Sequence, residues 1–359
     1  MIERRERSGM IAAAVHTNVG VRRWMMPAGA LSLDGSPASP WVLLPPEARR
    51  AFDLLTAAGV PLATSTFGSP LLGVKCGCND AFLVTLDPVD VPGDEIARVR
   101  VADRRAPARH GCIERRLLRP IVRGETLRRW CVTRQIGSPL PTQLPVIDVP
   151  DPVVKQPRRK RPRAQEWIVW THENADRGPA PALLALPGEA ARWLAPWRHR
   201  LAARSDTRGR SPWWTLFRTD SADTRTPRVV WSDLGRTARA AVLVAGDPTV
   251  PLNSCYAVRA RAEMDAHALS AIINSAIAAS WLNVLAEPAR GGFHRYLGWT
   301  VGLLPLPTKW ERAREVLGPI GAQAAAGNTP SDDVLTSNVA TAYGLSVEAL
   351  APLLAWPEG

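Results

Sequence analysis

The side chains with the clearest potential for chemistry follow an amphipathic stretch and precede a Pro-Leu-Pro stop. They are Arg290, His294, Arg295 and Tyr296, with Gly291-Gly292 as a hinge. Arginine donates hydrogen bonds to phosphate and to guanine, and aromatic rings stack on bases. This interleaving of basic and aromatic residues predicts a nucleic-acid contact. The alternative is a loop that packs on its own domain.

Two further groups combine polar or basic side chains with glycine. One lies in a Cys-Gly-Cys-Asn-Asp turn, where glycine lets the backbone approach a ligand, and it comprises Lys75, Asn79 and Asp80. The other surrounds an Arg-Gly step and comprises Arg123, Arg128 and Arg129. Base edges are read by such donors and acceptors, and phosphates are held by cations. The structural alternatives are an ordinary hairpin tip and a simple turn.

A basic, proline-rich segment occupies residues 145–165. Pro157 and Pro162 disfavour a regular helix there. The segment is therefore predicted to be a linker, which also suits an arm that follows phosphates. Its basic cluster consists of Arg158, Arg159, Lys160, Arg161 and Arg163.

The overall charge favours an anionic partner. The 359 residues include 45 Lys and Arg against 33 Asp and Glu, giving a net charge of +12. Only four of the basic residues are lysines: Lys75, Lys155, Lys160 and Lys309. A GC-rich genome also raises arginine content, but that bias alone does not explain the imbalance between basic and acidic residues.

Five cysteines and no secretory signal argue against a disulfide framework. Four residues have the donor types for zinc, although their spacing is not that of a common zinc module; buried thiols are the competing interpretation. They are Cys76, Cys78, His110 and Cys112. No run of about 18 apolar residues predicts a membrane span. We expect a cytoplasmic protein that has no membrane partner.

Hydrophobic periodicity predicts several elements. Helices are expected over 47–58 and 187–204, apart from Pro196, and one long helix over 262–286. Residues 71–86 are predicted to form a hairpin, and an apolar strand is expected before Pro305. Residues 98–101 and 117–122 are predicted to be two short strands, or a strand and a helix. Further strands are predicted over 166–171, 228–233 and 240–245.

Several motifs, in a shared order, resemble the target-recognition region of type II and type IIG adenine-N6 DNA methyltransferases. The first two are Gly73–Phe82 and Glu114–Trp130, where Cys76 and Trp130 replace the family's usual threonine and tyrosine. The resemblance continues from about residue 60 to the C-terminus. The later motifs are Trp167–Trp170, Leu201–Arg204, Pro212–Arg218, Pro227–Asp233, Asn253–Tyr256, Ile273–Ser275, Gly291–Pro307 and Asp333–Glu348.

The catalytic signature of that family is missing from the sequence. The enzymes carry an (Asn/Asp/Ser)-Pro-Pro-(Tyr/Phe) loop that holds the flipped adenine. The one Pro-Pro pair here, Pro45-Pro46, lies between Leu44 and Glu47, whose side chains cannot do this. No Gly-x-Gly turn after a strand is present for S-adenosylmethionine. The residues His172-Glu173 and the segment after Pro150-Asp151 also lack a nuclease pattern.

The resemblance implies a mixed α/β (α+β) recognition fold of two lobes with short C-terminal helices. The expected organisation is a leader, partly helical or loose (1–20), an N-terminal lobe (21–144), the linker (145–165), a C-terminal lobe (166–310) and a helical tail (311–359). The implied function is double-stranded DNA target recognition for a separate adenine-N6 methyltransferase or restriction-modification subunit, which would bind S-adenosylmethionine. The alternative is a non-catalytic structural or nucleic-acid-binding component of an anti-phage defence complex.

Overall fold

The structure is a computed structural model that describes residues 9–17, 20–34, 36, 38–103, 108–132, 165–173, 179–205 and 212–356. The fold is mixed α/β, which confirms the predicted class. The chain divides into two compact units. Unit 1 comprises 1–75, 122–132 and 218–359, and unit 2 comprises 76–121 and 133–217.

The strands are β1 (Met10–Thr17), β2 (Gly20–Pro27), β3 (Gly59–Pro61), β4 (Leu71–Leu72), β5 (Leu83–Leu86), β6 (Ile96–Val101), β7 (His110–Glu114), β8 (Leu118–Val122), β9 (Glu166–Val169), β10 (Arg228–Ser232), β11 (Leu234–Gly235), β12 (Ala240–Leu243), β13 (Val250–Pro251), β14 (Cys255–Arg259), β15 (Glu287–Ala289), β16 (Phe293–Arg295) and β17 (Pro305–Pro307). The helices are α1 (Pro46–Ala57), α2 (Asn79–Phe82), α3 (Gly188–Leu194), α4 (Arg198–Ala202), α5 (Glu263–Ile273), α6 (Ala276–Leu285), α7 (Gly298–Gly302), α8 (Trp310–Ala325), α9 (Asp332–Tyr343) and α10 (Val347–Leu354).

Unit 1 is built around a four-stranded antiparallel sheet in the order β12-β10-β14-β4. The β-branched and aromatic residues of β10 suit this position, since all five of its residues are buried. Helices complete the core, where the rings of Phe52 on α1 and Trp281 on α6 stack with centroids 5.2 Å apart. A second sheet, β11-β16-β15, carries part of the candidate site.

The long helix predicted over 262–286 is two helices, α5 and α6, bent by 67°. Side-chain hydrogen bonds explain the break. The Ser275 hydroxyl accepts from the Ala278 amide and so caps α6. The Asn274 side chain is used elsewhere: its amide oxygen accepts from Ala240 N and its nitrogen donates to Ala240 O, both at 2.9 Å. The chain therefore turns where α5 is tied to strand β12.

Two other predictions for unit 1 need correction, and a third is confirmed. Part of the expected leader, Met10–Thr17, is strand β1, paired with β2, and Trp24 of β2 packs edge-on against Trp356. The expected apolar strand before Pro305 is instead helix α7, which begins at Gly298. The predicted end of the chain is confirmed: Gly344 closes α9 with φ of 70°, and Ser346 caps α10.

Unit 2 contains an antiparallel sheet with neighbours in the order β8-β9-β5-β6-β7. Helix α3 packs against β7, and two amides at its start donate to the Glu114 carboxylate at 2.8 and 2.9 Å. The hairpin predicted over 71–86 is wrong. Its first strand, β4, pairs with β14, its second, β5, pairs with β6 and β9, and the intended turn contains helix α2.

The remaining helix and strand predictions agree with the structure, with 117–122 a strand. Among the described residues, no single helix has both the length and the apolar character to cross a membrane, and α5 and α6 meet that test only as a bent pair.

Candidate nucleic-acid interface

The turn at Arg123 is held against sheet β12-β10-β14-β4 by backbone contacts. Gly124 N donates to the Ser254 hydroxyl at 3.1 Å. A Cβ atom at Gly124 would lie 2.4 Å from Ser232 Oγ and 2.9 Å from the Ser254 carbonyl oxygen, so this position requires glycine. Thr126 closes the turn, since its hydroxyl donates to Arg123 O and accepts from Arg123 N, both at 3.0 Å.

The two arginines that follow have different environments. Arg128 is exposed, and its guanidinium donates to the carbonyl of Glu125 at 2.8 Å. Arg129 is half-buried and forms a 2.6 Å ion pair with Asp332 of α9. Trp130 then adopts a left-handed backbone with φ of 75° and donates from its amide to Ala240 O at 2.9 Å. Arg128 is therefore displayed on the surface, whereas Arg129 has a structural partner.

The hairpin β15–β16 displays two of the predicted basic residues. Gly291 and Gly292 have φ values of 80° and 74°, which favour glycine at the tip. Arg290 is exposed at this tip, and Arg295 is exposed at the base of the hairpin, where it lies opposite Glu287. Strand β16 also pairs with β11, where Arg295 lies opposite Leu234. The hairpin is thus anchored along one edge and carries its basic side chains outward.

Tyr296 does not lie on this surface, contrary to the expectation of a direct contact. Its side chain is fully buried, and its hydroxyl lies 2.6 Å from Asn283 Oδ1. Its carbonyl accepts from the Trp231 indole at 3.0 Å. Burial raises the pKa of the phenol. His294 is half-buried, and burial lowers its pKa. Tyr296 therefore fixes the hairpin to the core rather than reading a ligand.

Sequence reasoning missed Arg236 and Arg239, which lie in the connection between β11 and β12. Both are exposed, and the Arg236 guanidinium lies 5.7 Å from the ring centroid of Phe293 on the hairpin. The run Leu234-Gly-Arg-Thr-Ala-Arg239 between two strand patterns was the available signal. A glycine and two nearby arginines mark the same kind of basic turn as the one at Arg123.

Asp233 and Ser254 join these segments. The amide of Asp233 donates to Ser254 O at 3.0 Å, and the carbonyl of Asp233 accepts from Tyr296 N at 2.9 Å. Ser254 also holds the Gly124 turn. Burial raises the pKa of the Asp233 carboxyl, and the charge of Arg295 opposes that shift. Three segments distant in sequence are therefore connected at the junction of β10 and β11.

The exposed arginines of these three segments, together with the half-buried Arg123, form what we call the unit 1 basic surface. Residues 123–130, 233–240 and 287–296 together contain seven arginines and three carboxylates. This imbalance creates a positive potential suited to a polyanion. The members of the surface are Arg123, Arg128, Arg236, Arg239, Arg290 and Arg295.

The other predicted site residues are not all in this unit. Lys75 is exposed at the end of the first segment of unit 1. Asn79 and Asp80 begin α2 in unit 2, where the Asp80 carboxylate lies 3.6 Å from the Arg200 guanidinium. The basic cluster at Arg158, Arg159, Lys160, Arg161 and Arg163 lies outside the described residues.

The candidate zinc donors of unit 2 do not form a metal site. Cys76 and Cys78 are buried, and His110 Nδ1 lies 2.7 Å from Asp87 Oδ2. Over the described ranges, no three His, Cys, Asp or Glu residues form a group that could hold a metal ion. His172 has a packing role: its Nδ1 donates to Ala180 O at 2.7 Å and its Nε2 accepts from Leu216 N at 2.9 Å, and burial lowers its pKa.

Comparisons with known proteins give a likeness in structure but no match in sequence. No protein-family model matches the chain, and no curated protein matches it either. Among solved structures, the chain is similar to the Type IIL restriction-modification enzyme MmeI in complex with DNA, with 11% sequence identity and a TM-score of 0.49. The match covers 97% of this chain and 41% of that enzyme. The chain therefore spans about two fifths of that enzyme's length.

Proposed function

We propose that this chain is a double-stranded DNA target-recognition subunit. It acts with a separate adenine-N6 methyltransferase or restriction-modification subunit, which binds S-adenosylmethionine and flips the base. The observation that supports this is the unit 1 basic surface, in which three separate segments present arginines from one hydrogen-bonded framework. Arginine contributes both to sequence-independent phosphate binding and to readout of guanine in the major groove.

The geometry suggests different roles within the surface. Arg290 lies at the tip of the hairpin β15–β16, and Arg295 lies at its base, where β16 also pairs with β11. Strands of a narrow β-sheet can place side chains in the major groove. Arg123 and Arg128 extend from a turn packed on a rigid sheet, which suits contacts that fix the register on the phosphate backbone. Asp233 lies beside Arg295, and a carboxylate accepts from the amino group of cytosine. Specific and non-specific contacts would thus come from adjacent segments.

A selection from a pool of random-sequence duplexes tests this function. The full chain is mixed with the pool, bound duplexes are recovered over several rounds, and their sequences are determined. We expect one short motif containing an adenine to be enriched. The double variant Arg290→Ala/Arg295→Ala should lose or relax that motif, because each bidentate contact to a base discriminates by about 1–3 kcal/mol.

The matched control is Arg50→Ala/Arg312→Ala, which removes the same charge from exposed positions on α1 and α8. It should leave the motif unchanged. Binding that depends strongly on salt but enriches no motif would overturn target recognition. That outcome would favour the alternative role as a structural, nucleic-acid-binding component of a defence complex.

A further inference from the structure

Unit 2 has a basic stretch that contains none of the DNA-contact residues predicted from the sequence. Residues 190–205 contain four arginines and one histidine but no Asp or Glu. They form α3, a single 3-10 turn and α4. Arg198, His199 and Arg200 are exposed on α4, whereas the Arg204 guanidinium donates to the carbonyls of Cys76 and Trp213 at 2.7 and 2.8 Å. The end of the stretch is thus anchored, and its middle is displayed.

Tryptophan rings hold the cations of this region in place. The Arg109 guanidinium lies 4.6 Å from the ring centroid of Trp197 and 5.2 Å from that of Trp193. The Arg198 guanidinium lies 5.9 Å from the ring centroid of Trp213. A guanidinium stacked on an indole loses conformational freedom but keeps its N–H edge for a ligand. These arginines are therefore partly preorganised.

The tryptophan beneath these arginines is tightly packed within unit 2. Trp193 is buried, and its indole donates to Ala81 O at 2.8 Å. Gly111 of β7 makes room for it, since a Cβ atom there would lie 2.8 Å from the Trp193 ring. The Arg200 guanidinium lies 3.6 Å from the Asp80 carboxylate, and these two side chains are 65% and 33% exposed. Such an exposed pair neutralises little of the arginine's charge.

We infer that unit 2 has a second nucleic-acid-binding surface, formed by Arg109, Arg198 and Arg200, that holds the phosphodiester backbone without reading its sequence. Phosphate fits the bidentate edge of a stacked guanidinium. Unit 2 as a whole has 22 Lys and Arg against 14 Asp and Glu, so it carries +8 of the chain's net charge of +12. This surface would supply affinity, and it does not depend on a methyltransferase partner.

The salt dependence of binding by the full chain tests this inference. Fluorescence anisotropy measures the affinity for a short labelled duplex of arbitrary sequence at several salt concentrations. The slope of log K against log salt changes by about 0.9 for each phosphate that the protein no longer neutralises. We expect Arg198→Ala/Arg200→Ala to weaken binding and to reduce the slope by the equivalent of about two phosphates. Arg198→Lys/Arg200→Lys, which keeps the charge, should restore most of the slope.

The control is Arg98→Ala/Arg116→Ala, which removes the same charge from exposed positions of unit 2. Arg98 lies on the face of β6 opposite to Val99, its buried neighbour in the strand. Equal slopes for the wild type and the Arg198/Arg200 variant, or an equal effect of the control, would overturn the inference. The inference would also be overturned if Arg198→Ala/Arg200→Ala lost binding to poly-glutamate but kept its binding to the duplex. That result would favour an acidic protein partner.

The outcome is separable from that of the proposed function. The unit 2 variant should still enrich the same sequence motif as the wild type, only with lower affinity. A retained motif with an unchanged salt slope rejects the second surface alone. The expected fall in slope, with no motif enriched by any form of the protein, rejects target recognition alone.

Discussion

At the residue scale, the surroundings of each arginine determine whether its guanidinium is exposed to a ligand or held within the fold. Arg128 and Arg295 are displayed, whereas Arg129 is engaged by Asp332. Arg228 is fully buried, where it donates to the carbonyls of Thr249 and Asp247 at 2.9 and 2.5 Å, and burial lowers its pKa to about 10. The number of arginines therefore favours a polyanionic partner, but only the structure distinguishes the exposed arginines from those that are held within the fold.

Substitution of Gly124, in the turn at Arg123, tests how the unit 1 basic surface is positioned. In Gly124→Ala, the added methyl group would lie 2.9 Å from the backbone oxygen of Ser254, so the turn or the sheet must shift. We expect the free energy of unfolding to fall by about 1–3 kcal/mol. Thermal unfolding measures this change, and the affinity for duplex DNA should fall with it.

Gly29→Ala is the matched control for this substitution. A Cβ atom at Gly29 would meet nothing within 4 Å. Its unfolding free energy should stay within about 0.5 kcal/mol of the wild type. Equal stability of the two variants would show that Gly124 is not held against Ser232 and Ser254.

At the scale of elements, the connection between α5 and β12 determines where the chain turns. The buried Asn274 side chain bonds both backbone groups of Ala240, and the next residue, Ser275, starts α6. In Asn274→Ala, the buried amide of Ala240 loses its acceptor. The expected cost is about 1–3 kcal/mol, seen as a lower urea midpoint with an unchanged m value.

Asn338→Ala serves as the comparison, because Asn338 is less buried and bonds within its own helix, to Val334 O at 2.8 Å. Its midpoint should match that of the wild type. If Asn274→Ala were equally stable, the bend between α5 and α6 would not depend on this side chain.

Local pattern predicted the elements whose cause is local. The helix at Pro46–Ala57, the strand at Arg228–Ser232 and the Gly344 helix end all follow from periodicity, β-branched residues or a glycine cap. The merged helix over 262–286 and the false hairpin over 71–86 failed for the opposite reason. Asn274 bonds a strand 34 residues away, and β4 pairs with β14, which lies far along the chain.

The candidate site shows the same limit. Arg290 and Arg295 were predicted because basic and aromatic residues alternate near a double glycine. Tyr296 was included by the same pattern, although its ring is used by the core. Arg236 and Arg239 were missed because they join the surface through the pairing of β11 with β16, which no local pattern indicates.

At the scale of the whole molecule, we assign sequence reading to unit 1 and backbone binding to both units. The proposed division is consistent with the charge, since each unit has a net positive charge and unit 2 has the larger share. In the function that we propose, the catalytic step belongs to a separate subunit. The sequence contains no (Asn/Asp/Ser)-Pro-Pro-(Tyr/Phe) loop, which in adenine-N6 DNA methyltransferases holds the flipped adenine.

The most direct test of this assignment is a pull-down of the tagged full chain from its native cells, with and without nuclease, followed by mass spectrometry of the captured proteins. We predict a nuclease-resistant partner whose sequence carries the (Asn/Asp/Ser)-Pro-Pro-(Tyr/Phe) loop. Capture of proteins that all disappear on nuclease treatment, or of no protein at all, would contradict the assignment of this chain to a methyltransferase complex.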